Sequence, residues 1–171
     1  MKKLIATLIL ASLNASALDM TYIFGGITPH IQRPTGANAR PLCNELSQGS
    51  GVIYNELHSL RINYDYDWST GLLVGENSYC EPIWGVTQSY NLYRNRYLEF
   101  NATVGFYHFD EDGFDFSEGA YFSRIGSFYF VPIAGVEANI SLYKSRDFQI
   151  SFMNLITPVI TNHAIGVTFN Y

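Results

Sequence analysis

Beyond its first eighteen residues the chain alternates apolar and polar side chains with a period of two. In the run from Leu60 to Trp68, Leu60, Ile62, Tyr64, Tyr66 and Trp68 share one face, and Arg61, Asn63, Asp65 and Asp67 share the other. Side chains of an extended strand point to opposite faces in turn, so this run predicts a strand with one greasy and one charged face. Leu98, Phe100, Ala102, Val104 and Phe106 against Glu99, Asn101, Thr103, Gly105 and Tyr107 repeat the pattern. So do Phe148, Ile150 and Phe152 against Gln149, Ser151 and Met153, and His163, Ile165, Val167, Phe169 and Tyr171 against Asn162, Ala164, Gly166, Thr168 and Asn170. The alternation and the turn residues between runs predict eight strands, near 20–31, 54–68, 71–79, 83–93, 96–108, 127–143, 147–158 and 162–171.

The connections alternate as well. Ser69-Thr70, Arg94-Asn95 and Lys144-Ser145-Arg146 are tight, whereas the stretch from Asp110 to Gly126 is long, acidic and rich in glycine. Short turns at one end and long loops at the other are the layout of a transmembrane barrel. The expected fold is therefore all-β, an eight-stranded antiparallel transmembrane β-barrel with up-and-down meander topology.

The polarity of the faces supports this. A closed barrel must enclose one face, and the face carrying Arg61, Asp65, Glu99 and Glu137 belongs inside only if the aromatic face meets lipid. Trp68, Tyr97, Tyr143 and Tyr171 fall near predicted strand ends, where aromatic girdles sit.

The amino terminus fits export. Met1-Lys2-Lys3 is a positive start, Leu4 to Leu13 is an apolar run of about ten residues, and Ala15-Ser16-Ala17 is a small-x-small triplet, as in a bacterial signal peptide. A membrane-anchoring helix would need roughly 20 apolar residues. Residues 1–17 are thus expected to be a leader and 18–171 the barrel, located in the bacterial outer membrane. Gly166-x-x-Phe169-x-Tyr171 resembles the terminal recognition signal of such barrels.

Composition narrows the partners. The chain of 171 residues is 47% apolar, 16% aromatic and only 15% charged, which excludes a disordered chain. Its formal charge of −5 becomes −7 without Lys2 and Lys3, and it has no basic stripe, which sets nucleic acid aside. Cys43 and Cys80 are an even pair in an oxidising compartment and are expected to form a disulfide. Closing the 36 residues between them is worth about 4 kcal/mol by the chain-entropy argument. No His, Cys or carboxylate set has metal-ligand spacing, and the acidic run Asp110, Glu111, Asp112 and Asp115 has no EF-hand spacing. Neither metal nor cofactor is expected.

Ordered by height, the inward residues predict a bore of two halves. Toward the short-turn end they are Asp65, Asp67, Glu99, Asn101, Glu137, Asn139, Gln149, Ser151, Thr168 and Asn170. Toward the long-loop end they are Val131, Ile133, Gly105, Tyr107, Met153, Leu155, Ala164 and Gly166. An apolar upper bore lined by Val131, Ile133 and Met153 suits a hydrocarbon chain, above a charged plug of Arg61 and its carboxylates. Small barrels also fill themselves with their own side chains.

Four elements occur in the order found in the PagP-type lipid A palmitoyltransferases: Pro29-His30, Tyr54-Asn55-Glu56, Asn77-Ser78, and Glu81-Pro82-Ile83 with Gly85 beyond. Pro132 and Pro158 resemble that family's prolines, which interrupt lateral hydrogen bonding to admit lipid; Pro cannot donate to a ladder. The likeness spans most of the mature chain and implies transfer of an acyl chain from phospholipid to lipid A at the outer leaflet. It implies His30 and Ser78 as the catalytic pair, Asn77 beside them, Pro132 and Pro158 as a lateral gate, and no cofactor. The partners implied are outer-membrane lipids, phospholipid and lipopolysaccharide, with the barrel a monomer. Two features depart from the family. Asn77 replaces an Asp, and an amide orients neighbours but cannot stabilise an imidazolium. There is also no room before the first strand for the family's amphipathic helix. The alternative expectation is a non-catalytic surface barrel acting through its extracellular loops in envelope integrity, adhesion or receptor masking, as a phage-encoded protein would.

Overall fold

The structure, a computed structural model, describes residues 19–30, 43–47, 49–64, 67–109, 123–125, 128–158 and 160–170. The expected leader, Asp65, Tyr171 and the acidic run at 110–122 lie outside the described residues. The strands are β1 (Asp19–Pro29), β2 (Val52–Tyr54), β3 (Leu57–Asn63), β4 (Trp68–Glu76), β5 (Pro82–Arg94), β6 (Leu98–Phe109), β7 (Ser123–Ile125), β8 (Phe128–Lys144), β9 (Phe148–Ile156) and β10 (Thr161–Phe169). Neighbours pair antiparallel in the order β10-β9-β8-β6-β5-β4-β3-β1, and β10 pairs with β1, which closes the ring. The eight staves are those expected. β2 extends the β3 stave beyond a break at Asn55-Glu56, and β7 is a short flap on β8.

One turn is displaced from the sequence expectation. Ser69 and Thr70 are ladder residues of β4, paired with Asn63 and Ile62, so the reversal does not fall on them but earlier in the chain, after Asn63. The alternation runs without interruption through this reversal, so period alone could not place it.

Closure seals the phase of every stave. Arg61, Ser69, Thr87, Asn101, Thr103, Glu137, Asn139 and Ser151 are buried inward, while Leu60, Leu72, Val104 and Ile140 are exposed outward. A face this apolar belongs against hydrocarbon, so the closed, edge-free cylinder is of the outer-membrane type. Polar groups on the outer face satisfy one another: the Tyr22 hydroxyl meets His58 Nδ1 at 2.7 Å, and His163 Nδ1 meets Asn154 Oδ1 at 2.6 Å. At the short-turn end Tyr64, Trp68, Tyr90, Tyr93, Tyr97 and Tyr143 are exposed in a girdle, with the Trp68 and Tyr90 rings 4.8 Å apart.

Among the described residues, the plug expected from Arg61 has one carboxylate hydrogen-bonded to it, Glu137. Arg61 Nη1 and Nη2 donate to Oε1 and Oε2 of Glu137 across the bore, both at 2.6 Å. Asn101 and Asn139 also donate to Glu137 Oε1, at 3.2 and 2.8 Å. Arg61 on β3 and Glu137 on β8 are far apart around the ring, so the pair is a strut across it. Above it, toward the long-loop end, Leu73 and Ile83 form a buried apolar cluster with Leu57, Tyr107, Val131 and Ile133.

Breaking the strut on one side strands a buried charge. Glu137→Ala should lower unfolding free energy in micelles by about 3–5 kcal/mol, whereas Arg61→Met with Glu137→Leu should recover most of that loss. Urea titration of the folded barrel measures both.

Candidate functional site

His30 and Ser78 reach each other from separate staves. β1 carries a bulge at Gly25-Gly26, where Gly25 adopts φ +72°, a conformation that favours glycine. Beyond the bulge the strand continues against β2, and its last turn is held from below. The buried Thr28 hydroxyl accepts from Asn55 Nδ2 at 3.1 Å and from Asn162 Nδ2 at 2.9 Å. His30 follows, its N–H donating to the Gly51 carbonyl at 2.9 Å, and it bridges to Ile160.

Ser78 lies in the reversal joining β4 to β5. Asn77 shapes that reversal. Its Oδ1 accepts from the N–H groups of Tyr79 (2.9 Å) and Glu81 (3.1 Å), and its Nδ2 donates to Glu81 Oε2 at 3.1 Å. Such side-chain-to-backbone bonds fix turns locally. Burial, with the Glu81 charge beside it, raises the Tyr79 phenol above its ordinary value.

A covalent tie adds to this. Cys43 and Cys80 form the expected disulfide with Cα atoms 5.8 Å apart, and the Cys43 N–H donates to the Ser78 carbonyl at 3.0 Å. The serine is thus clamped on both sides, by Asn77 and by the Cys80 crosslink.

Across the rim, His30 Nε2 and Ser78 Oγ stand 2.8 Å apart. That is hydrogen-bond distance, the geometry a base requires to take a hydroxyl proton. Asn77 is spent on the turn and serves the pair by positioning Ser78.

The other residues singled out in the sequence divide. Val131 and Ile133 lie in the apolar cluster with Leu73 and Ile83, in the same half of the bore as the pair. Met153 is buried lower and lines the wall of a polar cavity instead, so the three do not form one lining. Pro132 is exposed on the outer face and pairs with Phe106 of β6. Among the described residues the β8–β9 ladder starts at Val136 and Ile156 and runs away from the loop end, leaving Pro132 and Pro158 outside it.

Thr28, Asn55, Asn162 and Glu81 were not legible as site residues. The only sequence signals were Asn55 and Glu81 within the two short motifs, and no period marks a residue that supports another.

No protein-family model and no curated protein matches the chain. Among solved structures it is similar to the Yersinia pestis outer membrane protein Ail in a phospholipid bilayer nanodisc, with TM-score 0.47 and 14% identity over 91% of this chain and 100% of that one. It is also similar to the N-terminal β-barrel domain of Pseudomonas aeruginosa OprF, with TM-score 0.46 and 11% identity over 91% and 97%. The solid-state NMR structure of outer membrane protein AlkL in DMPC bilayers gives TM-score 0.39 and 9% identity over 92% and 91%.

Proposed function

We propose that this barrel transfers an acyl chain from a phospholipid to a lipid A hydroxyl at the outer leaflet, as its resemblance to PagP-type enzymes implies. The observation that carries the reading is the 2.8 Å contact between His30 Nε2 and Ser78 Oγ at the long-loop rim. In the first half-reaction Ser78 Oγ bonds to the ester carbonyl carbon while His30 Nε2 takes the hydroxyl proton. The carbon–oxygen bond to glycerol breaks and that proton passes to the leaving oxygen. In the second, an acceptor hydroxyl bonds to the acyl carbon as His30 Nε2 takes its proton, the bond from that carbon to Ser78 Oγ breaks, and the proton returns to Oγ. Every atom is supplied by the two lipids and the pair, so no cofactor enters.

Lipid A extracted from cells expressing the protein should gain one acyl chain by mass spectrometry. His30→Ala and Ser78→Ala should each lower that gain by about a hundredfold or more while the barrel still folds. Folded wild-type protein without the gain, or variants that retain it, contradicts the reading.

A second reading, a non-catalytic surface barrel working through its loops, is favoured by one feature. Asn77 supplies no charge to the pair, and its oxygen is taken by two backbone N–H groups. Asn77→Asp separates the two: acyl transfer should rise in the variant if the pair is an enzyme's. If it stays at zero in both forms while deletion of residues 110–122 removes a surface phenotype, the loop reading holds.

A further inference from the structure

Two of the short turns are near copies of each other. Leu92-Tyr93-Arg94-Asn95-Arg96 leads from β5 toward β6, and Leu142-Tyr143-Lys144-Ser145-Arg146 leads from β8 toward β9. The likeness extends to the backbone. In the first turn Asn95 N–H donates to the Leu98 carbonyl and Asn95 Oδ1 accepts from Leu98 N–H, both at 2.9 Å. In the second Ser145 N–H donates to the Phe148 carbonyl at 2.9 Å and Ser145 Oγ accepts from Phe148 N–H at 3.1 Å. Each strand entering the turn also carries a bulge, between Asn91 and Tyr93 and between Ser141 and Tyr143. A bulge adds one residue and re-aims the side chains beside it. Here the added leucine and the tyrosine after it are exposed together, Leu92 and Tyr93 by 58% and 51%, Leu142 and Tyr143 by 60% and 52%.

The two copies stand side by side, because β6 pairs with β8 and Ser141 N–H donates to the Tyr97 carbonyl at 2.8 Å. Together they gather four of the ten basic residues of a chain whose net charge is −5. Only part of that charge is matched. Glu99, opposite Arg94, pairs with it at 3.0 Å, whereas the residue opposite Lys144 is the neutral Gln149. Among the described residues no carboxylate, Asp147 included, lies within ion-pair distance of Arg96, Lys144 or Arg146. Arg96 stands over the Tyr97 ring, 5.5 Å from its centroid.

Depth decides which anion these cations meet. The short turns of an outer-membrane barrel face the periplasm, and the aromatic girdle at this end marks the headgroup level. Beyond the tyrosines the cations therefore stand among the headgroups of the periplasmic leaflet, with the leucines toward the acyl chains. The anion offered there is a lipid phosphate, which guanidinium groups bind through paired hydrogen bonds. A headgroup that also carries an ammonium would bring a further positive charge to a surplus of them, so the net negative headgroup fits best.

We propose that the β5–β6 and β8–β9 turns are adjacent docking sites for anionic phospholipids of the periplasmic leaflet, Arg96 holding one headgroup phosphate and Lys144 with Arg146 another. These sites lie at the opposite end from His30 and Ser78 and do not depend on acyl transfer.

Amide NMR of the full barrel in nanodiscs of phosphatidylcholine, with a rising fraction of phosphatidylglycerol, tests this. Saturating shifts are expected at residues 94–97 and 144–147. Loss of one cation near a membrane surface weakens attraction to an anionic lipid by about fivefold. Arg96→Gln should raise the half-saturating fraction at the first turn by about that factor and leave the second turn unchanged. Lys144→Gln with Arg146→Gln should do the reverse, and more strongly. Heat-modified gel migration reports that the variants are folded. Shifts that never saturate, shifts of equal size at Asp67 and Trp68, or variants that respond like the wild type or alter both turns alike overturn the proposal. So do equal shifts on adding inorganic phosphate to phosphatidylcholine discs, which assign the contact to an ion in water and not to a lipid.

Discussion

A strand with an aromatic face and an ionised face has a place for both only where the sheet closes on itself and its outside meets hydrocarbon. Backbone groups at an open edge would be stranded in lipid, so the ladder has to run fully around. In this barrel the β1–β10 pairing does that, with Met20 opposite Phe169 and Phe24 opposite Ile165. Once closed, the period-two alternation leaves no freedom: a slip of one residue would send Arg61 and Glu137 into lipid and the Leu60 face into the bore. The bidentate contact between those two charges is the internal counterpart of the outer apolar belt.

Closure also makes the two ends different. At the long-loop end the ladders fall away one after another: β3 breaks at Asn55-Glu56, β9 stops at Ile156, and β1 continues past its bulge. Loosened strands allow residues from non-adjacent staves to meet, and there His30 and Ser78 come together, fixed by Thr28, Asn77 and the Cys43–Cys80 bridge. At the other end the ladders run to tight turns. The wall there shifts register at Asn91–Tyr93 and Ser141–Tyr143, and its polar side chains leave room along the axis.

The strands and their facing were legible because each stave repeats one strong contrast, greasy against charged, over many residues. The disulfide was legible from compartment and count. The turn between β3 and β4 was not, because the sequence from Leu60 to Trp68 alternates without a break. Which carboxylate answers Arg61 was hidden too, since Asp65, Glu99 and Glu137 all share its face and only stagger around the ring selects Glu137. The upper bore was expected to be lined by Val131, Ile133 and Met153, of which Val131 and Ile133 lie in the apolar cluster and Met153 lies lower. Leu57, Leu73 and Ile83 add the packing that sequence order did not convey, and the cavity lies in the polar half. Polarity is written in residue type, whereas free volume depends on how side chains from eight staves meet.

The sidedness of this cylinder is measured most directly by paramagnetic broadening of the barrel in bicelles, comparing a spin label carried on lipid tails with a water-soluble gadolinium chelate. Side-chain signals of Leu72, Val104 and Ile140 should be broadened by the lipid-borne label and untouched by the chelate, and those of Thr103 and Asn101 by neither or by the chelate alone. Broadening of the Leu72 set by the chelate, with the lipid label silent, would mean that water and not lipid surrounds the barrel.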